Sequence, residues 1–260
     1  MKLKAVFAVS VFMIIFSLCF GAWGYSAKSV CLYDIKDKKI VYGYNENEKM
    51  EPASITKIVT AITALSLGDS DETVTVSARA AGTEGSSLYL KSGETLTLSE
   101  LLYGLMLHSG NDAANAIADH FGYDEFIHEM NETARYAGAV NSHFENPSGL
   151  PSSAHYVTAA DMAKITAYAL ENPTFREIVS AKTAQISNNG NGNRYLKNHN
   201  KLLWLYSNTI GVKTGFTKSA GRTLVSAAQK DGRTLVCVTL CDPDDWNDHI
   251  SLYKKYLEKE

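Results

Sequence analysis

A serine and a lysine stand three residues apart where an apolar helix is predicted to begin: Ser54 and Lys57 in the stretch PASITKIVTA. Residues at this spacing share one face of a helix, so the hydroxyl and the amine can touch. A serine hydroxyl is a poor nucleophile unless a base takes its proton. A lysine can be that base if burial and a second cation lower its pKa from ~10.4 toward 7. The pair therefore predicts nucleophilic catalysis with a second cation nearby; the structural alternative is an ordinary helix start.

The Ser-x-x-Lys pattern is weak by itself, because Ser251 and Lys254 also match it. Two further patterns, Ser-x-Asn and Lys-(Thr/Ser)-Gly, each occur twice. The second copy of each pattern is poorly placed for catalysis. These copies lie on the terminal helix, in an Asn/Gly-rich turn and in a turn between apolar segments. One ordered set combines a buried helix start, a link between two helices and an extended strand: Ser54/Lys57, Ser109/Gly110/Asn111 and Lys213/Thr214/Gly215.

This ordered set resembles the motifs of the penicillin-recognising serine enzymes, which include penicillin-binding proteins and serine β-lactamases. Longer stretches within about residues 28–243 are similar to the low-molecular-mass D-alanyl-D-alanine carboxypeptidases: PASITKIVTA, GSSLYLKSGE, LLYGLMLHSGNDAANAIA, NPSGLP, NHNKLL, GVKTGFT and AGRTLVSAA. The resemblance implies peptidoglycan stem peptides ending in D-Ala-D-Ala as substrates and β-lactams as inhibitors. It also implies hydrolysis of the terminal D-Ala through an acyl-enzyme, without a cofactor.

The resemblance also implies a catalytic role for each matched residue. Ser54 would be the acylated nucleophile and Lys57 the base that accepts its proton. Ser109 would pass a proton toward the leaving D-Ala. Lys213 would be the second cation, which lowers the pKa of Lys57 across the cleft.

Substrate-binding roles carry over in the same way. Asn111 would bind a substrate amide, and Thr214, with its neighbour Gly215, would bind the terminal carboxylate. The oxyanion hole would be the backbone N–H groups of Ser54 and Phe216.

Two further residues near the motifs have alternative interpretations. His199 lies between Asn198 and Asn200, and Arg222 follows Gly221 beside the predicted cleft strand. Either side chain could help to bind the substrate carboxylate, or it could be a plain surface residue.

The elements that must position these residues are strands near both ends of the chain and helices in the middle. Hairpins are predicted around the Asp37-Lys38 turn within 29–45 and around the 230–233 turn within 223–240. Helices are predicted at 52–65, at 98–108, from a cap at Asp112 to 121, at 125–137, at 159–171 and from 244 onward, with capping boxes at Thr97/Glu100 and Thr158/Asp161 and a polar turn at 188–193.

This order predicts an α+β fold: an antiparallel sheet formed from both ends of the mature chain, covered by helices, with a helical subdomain. By resemblance, it is a β-lactamase/transpeptidase-like fold. The final segment, HISLYKKYLEKE, is expected to pack on the sheet rather than lie on a membrane.

The composition of the chain and the spacing of its histidines and cysteines argue against several classes of protein. A chain of 260 residues with 45% hydrophobic content can bury a substantial core. The net charge of −3, without a basic stripe, argues against nucleic-acid binding. No histidine pair has zinc-ligand spacing, so metal catalysis is not expected. Cys31, Cys237 and Cys241 are interpreted as small buried hydrophobic residues rather than a disulfide framework.

Residues 1–24 are interpreted as a secretory signal peptide, with Lys2 and Lys4 before an apolar run and small residues preceding a cut after Gly24. The alternative is an uncleaved N-terminal anchor. Residues 25–260 would then be a single catalytic domain in the extracellular or cell-wall space. Many relatives continue into a β-rich domain and an anchor helix, which are not expected here, so membrane association would be peripheral or absent.

The same motifs are also compatible with two other functions. A DD-endopeptidase acting on peptidoglycan cross-bridges would use the same residues. A penicillin-binding sensor without turnover would also retain them. No Glu-x-x-Leu-Asn deacylation motif occurs, which argues against a serine β-lactamase.

Cleavage of the signal peptide can be tested on secreted protein. We expect N-terminal sequencing of the extracellular form to begin at Tyr25, because Ala22 and Gly24 are the small residues that a signal peptidase requires. Peptides that retain Met1 or Lys2 would instead identify an anchor.

Overall fold

The structure, a computed structural model, describes residues 24–187 and 192–258. Its centre is a five-stranded antiparallel sheet in the order β2-β1-β9-β8-β7. Its strands come from both ends of the described chain, so the predicted α+β architecture is confirmed: β1 Ser29–Asp34, β2 Lys39–Tyr44, β7 Thr209–Thr217, β8 Gly221–Lys230 and β9 Arg233–Leu240.

Two small hairpin sheets and the helices complete the fold. The hairpins pair β3 (Thr73–Thr75) with β4 (Thr95–Thr97) and β5 (Thr183–Ile186) with β6 (Arg194–Lys197). The helices lie mostly between β2 and β7 in the chain: α1 Lys57–Leu67, α2 Ala78–Ala81, α3 Leu98–Tyr103, α4 Asn111–His120, α5 Tyr123–Tyr136, α6 Ala159–Ala169, α7 Pro173–Ser180, α8 Leu202–Leu205 and α9 Asp245–Tyr256.

The sheet separates two apolar cores. The larger core lies between the sheet and the central helices, where α6 packs on β1 and β9 and α1 packs on α5. The smaller core lies under α9, which buries Leu252 and Tyr253 against β8 and β9. The predicted packing of the final helix on the sheet is thus confirmed. None of the helices in the described part of the chain is long and apolar enough to cross a membrane.

The predicted helix at 52–65 differs at its start. Ala53–Thr56 form a 3₁₀ turn, and the α-helix begins only at Lys57 and continues to Leu67. The left-handed backbone of Ala53 (φ 52°) separates this turn from the preceding chain. Ser54 therefore lies in a tight turn that precedes the helix, not in its first α-helical turn.

The segment predicted as one helix at 98–108 consists of an α-helix followed by a π-helical turn. The capping box of Thr97 and Glu100 is present and begins α3. After Tyr103 the backbone widens into a π-helical turn, Gly104–His108, and Ser109 ends it in the left-handed conformation (φ 67°). A continuous apolar pattern does not distinguish a π turn from an α-helix, because it reports burial rather than hydrogen-bond spacing.

Two predicted caps are wrong in detail. Helix α4 begins at Asn111 with Gly110 at its cap, whereas the Asp112 carboxylate accepts N–H groups of Leu88 and Leu90 from a distant segment. Thr158 does cap α6, by accepting the Asp161 N–H. The Asp161 carboxylate, however, accepts from Asn141 and Ser142, so the second bond of a capping box is replaced by a tertiary contact.

The helices predicted at 125–137 and 159–171 are present with shifted ends, as is the hairpin of β8 and β9. The described cysteines are free, as expected, and Cys31 and Cys237 are buried whereas Cys241 is partly exposed. Residues 1–24 were interpreted as a signal peptide, and all of them except Gly24 lie outside the described part of the chain. Most of the predicted polar turn at 188–193 lies outside it as well.

Candidate active site

The 3₁₀ turn holds Ser54 at the floor of a cleft of about 930 Å³. Strand β7 passes directly beside it. A Cβ placed on Gly215 would lie 2.9 Å from the backbone nitrogen of Ser54, so only glycine allows the strand to approach so closely. This contact brings the backbone of Gly215 and Phe216 next to the serine that the sequence singled out.

The Lys57 amine is fully buried and has three hydrogen-bond partners: Ser54 Oγ at 3.0 Å, Asn111 Oδ1 at 2.8 Å and the Ser148 carbonyl at 2.6 Å. Two of these partners, the amide oxygen and the carbonyl, can only accept. A neutral amine has two N–H groups and one lone pair. With both N–H groups donated to these two acceptors, the lone pair faces the Ser54 hydroxyl.

The surroundings of Lys57 favour this neutral amine. Burial lowers its pKa well below the ordinary value of 10.5, and the positive charge of Lys213 lowers it further. Asp112 acts in the opposite direction. The second cation that the sequence required is thus present, although burial is the larger cause.

Lys213 is itself buried, with 1% of its surface exposed, on strand β7. Its amine donates to the carbonyl of Thr214 at 2.9 Å. Burial lowers the pKa of Lys213 to about 7, so this amine changes charge near neutral pH.

The Ser-x-Asn motif lies where the π turn meets α4. Ser109 lines the cleft. Asn111 is held at both ends, because its Oδ1 accepts from Lys57 and its Nδ2 donates to the Glu84 carbonyl at 2.8 Å. A Cβ at Gly85 would lie 2.6 Å from this Nδ2, so the segment before the motif packs closely against the Asn111 side-chain amide. To bind a substrate amide through Nδ2, Asn111 must first release the Glu84 carbonyl.

His199 and Arg222 both line the same cleft as Ser54 and Thr214. The His199 ring lies 5.2 Å from that of His108. Burial, together with the charges of Lys213 and His108, lowers the pKa of His199 to about 4. The ring is therefore neutral at physiological pH and can act there by hydrogen bonding but not by charge.

Arg222 is oriented by the last helix. Its guanidinium makes a bidentate pair with Asp245, with nitrogen–oxygen distances of 2.8 and 3.1 Å, and lies 5.4 Å from the centre of the Trp246 ring. Phe216, its cross-strand neighbour, is 65% exposed at the cleft rim. Such pairing fixes the plane of a guanidinium that lines the cleft.

Three groups at the site were not predicted from the sequence: the Ser148 carbonyl, Asp245 and Trp246. The Pro-Ser-Gly sequence at 147–149 signals a turn, but a backbone acceptor has no side-chain signature. Within residues 24–187 and 192–258, no group of three or more His, Cys, Asp or Glu side chains is placed to hold a metal ion.

Comparison with known proteins identifies similar chains. DacF, a D-alanyl-D-alanine carboxypeptidase of Bacillus subtilis (strain 168), is 33% identical over 221 residues, which are 82% of this chain and 57% of that protein. DacB2 of Mycobacterium tuberculosis H37Rv, which has the same activity in its name, is 35% identical over 213 residues, 81% of this chain and 73% of that protein. The chain thus spans little more than half the length of the Bacillus relative.

Solved structures give the same picture. The DD-transpeptidase of Streptomyces K15 has a TM-score of 0.85 and 31% identity, covering 91% of this chain and 99% of that chain. A D-alanyl-D-alanine carboxypeptidase of M. tuberculosis H37Rv has a TM-score of 0.86 and 31% identity, covering 92% and 93%. The S11 peptidase family, described as D-alanyl-D-alanine carboxypeptidase, matches residues 21–244. The chain belongs to this family of serine-type D-alanyl-D-alanine carboxypeptidases.

Proposed function

We propose that the protein removes the terminal D-Ala from peptidoglycan stem peptides ending in D-Ala-D-Ala, through an acyl-enzyme on Ser54. One observation carries the proposal. The buried Lys57 amine donates to two fixed acceptors, which leaves its lone pair for the Ser54 hydroxyl. This arrangement suits a lysine general base and has no use in an ordinary helix start.

The reaction begins when Ser54 Oγ attacks the carbonyl carbon between the two D-Ala residues and its proton passes to Lys57 Nζ. Negative charge develops on the carbonyl oxygen, which the backbone N–H groups of Ser54 and Phe216 stabilise. The close approach of Gly215 to the Ser54 nitrogen supports this pairing of donors. The C–N bond then breaks, Ser109 relays a proton to the leaving amine, and water hydrolyses the ester.

The substrate carboxylate is held beside strand β7. Lys213 supplies positive charge, and Thr214 and Gly215 line the cleft next to Ser54. Arg222 adds a second, oriented cation, whereas His199 contributes hydrogen bonds only, because its pKa is lowered to about 4. Asn111 binds a substrate amide after its Nδ2 leaves the Glu84 carbonyl. β-Lactams acylate the same serine.

The place of action follows from the substrate. Peptidoglycan lies outside the cytoplasmic membrane, so the protein works on the cell-wall side. We further propose that residues 1–24 direct export as a signal peptide and that residues 25–260 act as one catalytic domain in the extracellular or cell-wall space, with peripheral or no membrane association.

The proposed reaction is tested with a pentapeptide that ends in D-Ala-D-Ala. We expect release of free D-Ala and attachment of labelled penicillin to Ser54, with Ser54→Ala reducing both by at least ~10³-fold because the nucleophile is removed. Ser251→Ala, which changes the other Ser-x-x-Lys serine, is the matched control and should retain both.

Several outcomes would contradict this assignment. A penicillin adduct on Ser251 would place the nucleophile elsewhere. Acylation without D-Ala release would indicate a non-turnover sensor. Muropeptides separate the remaining alternative, because an endopeptidase would cleave cross-linked dimers rather than monomers.

The electrostatic role of Lys213 makes a separate prediction. Its charge is one cause of the low pKa of Lys57, so Lys213→Gln should raise that pKa. Lys57 would then lose its proton at higher pH, and the ascending limb of the pH–rate profile for acylation should move upward. Because the charge of Lys213 is itself lost as pH rises through about 7, the difference should be largest below that pH.

Two variants control this experiment. Lys213→Arg keeps the charge but changes the donor geometry, so it should move the limb less while raising KM for a carboxylate-bearing substrate. Lys91→Gln removes an exposed lysine from the other Lys-(Thr/Ser)-Gly sequence and should change neither quantity. If Lys213→Gln alters only KM, Lys213 binds substrate and does not tune the base.

A further inference from the structure

The shortest hydrogen bond of Lys57 is to a loop that the catalytic motifs do not include. The Ser148 carbonyl accepts from Lys57 Nζ at 2.6 Å, compared with 2.8 Å for Asn111 and 3.0 Å for Ser54. The direction of the amine lone pair depends on where both fixed acceptors lie. Whatever fixes the Ser148 carbonyl therefore also aims the base.

The turn that carries this carbonyl is organised around one side chain. Asn146 Oδ1 accepts the backbone N–H groups of Ser148, Gly149 and Leu150, and its Nδ2 donates to the Leu150 carbonyl. Gly149 has a left-handed backbone (φ 83°), and a Cβ there would collide with the Ala53 carbonyl. The turn is thus rigid and pressed against the residue that precedes the nucleophile.

Two buried threonines tether this turn to the start of the catalytic helix. Thr60 Oγ1 donates to the Pro147 carbonyl at 2.7 Å. Thr56 Oγ1, on the residue before Lys57, lies 2.9 Å from His155 Nε2. The two threonines are one helical turn apart, so the tethers lie on one face of the helix.

The roles of the two His155 nitrogens follow from their partners. The backbone N–H of Glu145 donates to Nδ1 at 3.1 Å, so Nδ1 is an acceptor and a neutral ring carries its proton on Nε2. Nε2 therefore donates to Thr56. Burial lowers the pKa of His155 to about 4, which keeps this single tautomer over the physiological range. The ring joins the segment before the turn to the helix.

We propose that His155, Thr56 and Thr60 are positioning residues that clamp the 146–150 turn to the catalytic helix, so that the Ser148 carbonyl holds one N–H of Lys57 and the lone pair stays on Ser54. None of them contacts the reacting atoms. The inference rests on the proposed roles of Ser54 and Lys57. It assigns a catalytic consequence to hydrogen bonds that lie behind the nucleophile.

The helix offers a matched set of variants. Thr56→Val and Thr60→Val each remove one tether and keep a β-branched side chain of similar shape. Thr63→Val is the control, because Thr63 is buried on the same helix and, among the described residues, its hydroxyl has no hydrogen-bond partner. Thr56→Ser keeps the acceptor for His155 and serves as the rescue.

The measurement is the rate of acylation by labelled penicillin per folded molecule, together with the thermal unfolding temperature. We expect Thr56→Val and Thr60→Val to acylate roughly tenfold or more slowly, since small displacements of a catalytic group are costly. Thr63→Val and Thr56→Ser should acylate close to the parent rate.

The outcomes separate the clamp from the proposed function. If the parent protein is not acylated on Ser54, the proposed function fails. If the parent is acylated on Ser54 but Thr56→Val and Thr60→Val match Thr63→Val, the clamp is wrong while the function stands. A lower unfolding temperature with an unchanged rate per folded molecule likewise overturns the clamp, because it shows a role in stability alone.

Discussion

Burial of the Lys57 amine is the constraint on which the rest of the site depends. An isolated ammonium is expensive to remove from water, so burial lowers the pKa of this amine and favours its neutral form. Three oxygen atoms surround the nitrogen. These oxygens come from a 3₁₀ turn, from helix α4 and from a distant turn at Ser148. The fold must bring three separate segments to one nitrogen atom, and a small displacement of any of them would change the hydrogen bonds of this amine.

The central sheet also contributes residues to the site. Strand β7 carries Lys213 and places Gly215 against the Ser54 nitrogen, so the proposed cation, carboxylate-binding edge and oxyanion donor all belong to one strand. The positive charge of Lys213 lowers the pKa of Lys57, and the negative charge of Asp112 partly offsets this effect. The Asp112 carboxylate accepts from Leu88 and Leu90 in a distant segment as well as from Ala113 of its own helix. The electrostatics that favour catalysis therefore depend on tertiary contacts as much as on motifs.

Whether a residue of the site could be predicted from the sequence depends on what that residue contributes. Ser54, Lys57 and Lys213 were identifiable as candidates because their side chains can do chemistry and their motifs lie in recognisable local contexts. The five-stranded sheet was identifiable because alternation and turn residues mark its hairpins. Asp112 was misread as a cap, because the cap position is Gly110 and the Asp112 carboxylate accepts mainly from Ser87, Leu88 and Leu90, more than twenty residues earlier. The Ser148 carbonyl had no signature, because any residue supplies a carbonyl and only the folded turn aims it.

The most direct test of this account is the protonation state of Lys57 itself. Lysine labelled at Cε and Nζ, with the Lys57 signal assigned by its loss in Lys57→Arg, reports the charge of each amine by NMR as pH is raised. The account predicts that Lys57 loses its proton at a pH well below the ordinary lysine value of 10.5. A Lys57 signal that titrates together with the exposed lysines would contradict it, because Lys57 would then be an ordinary cation and not a base.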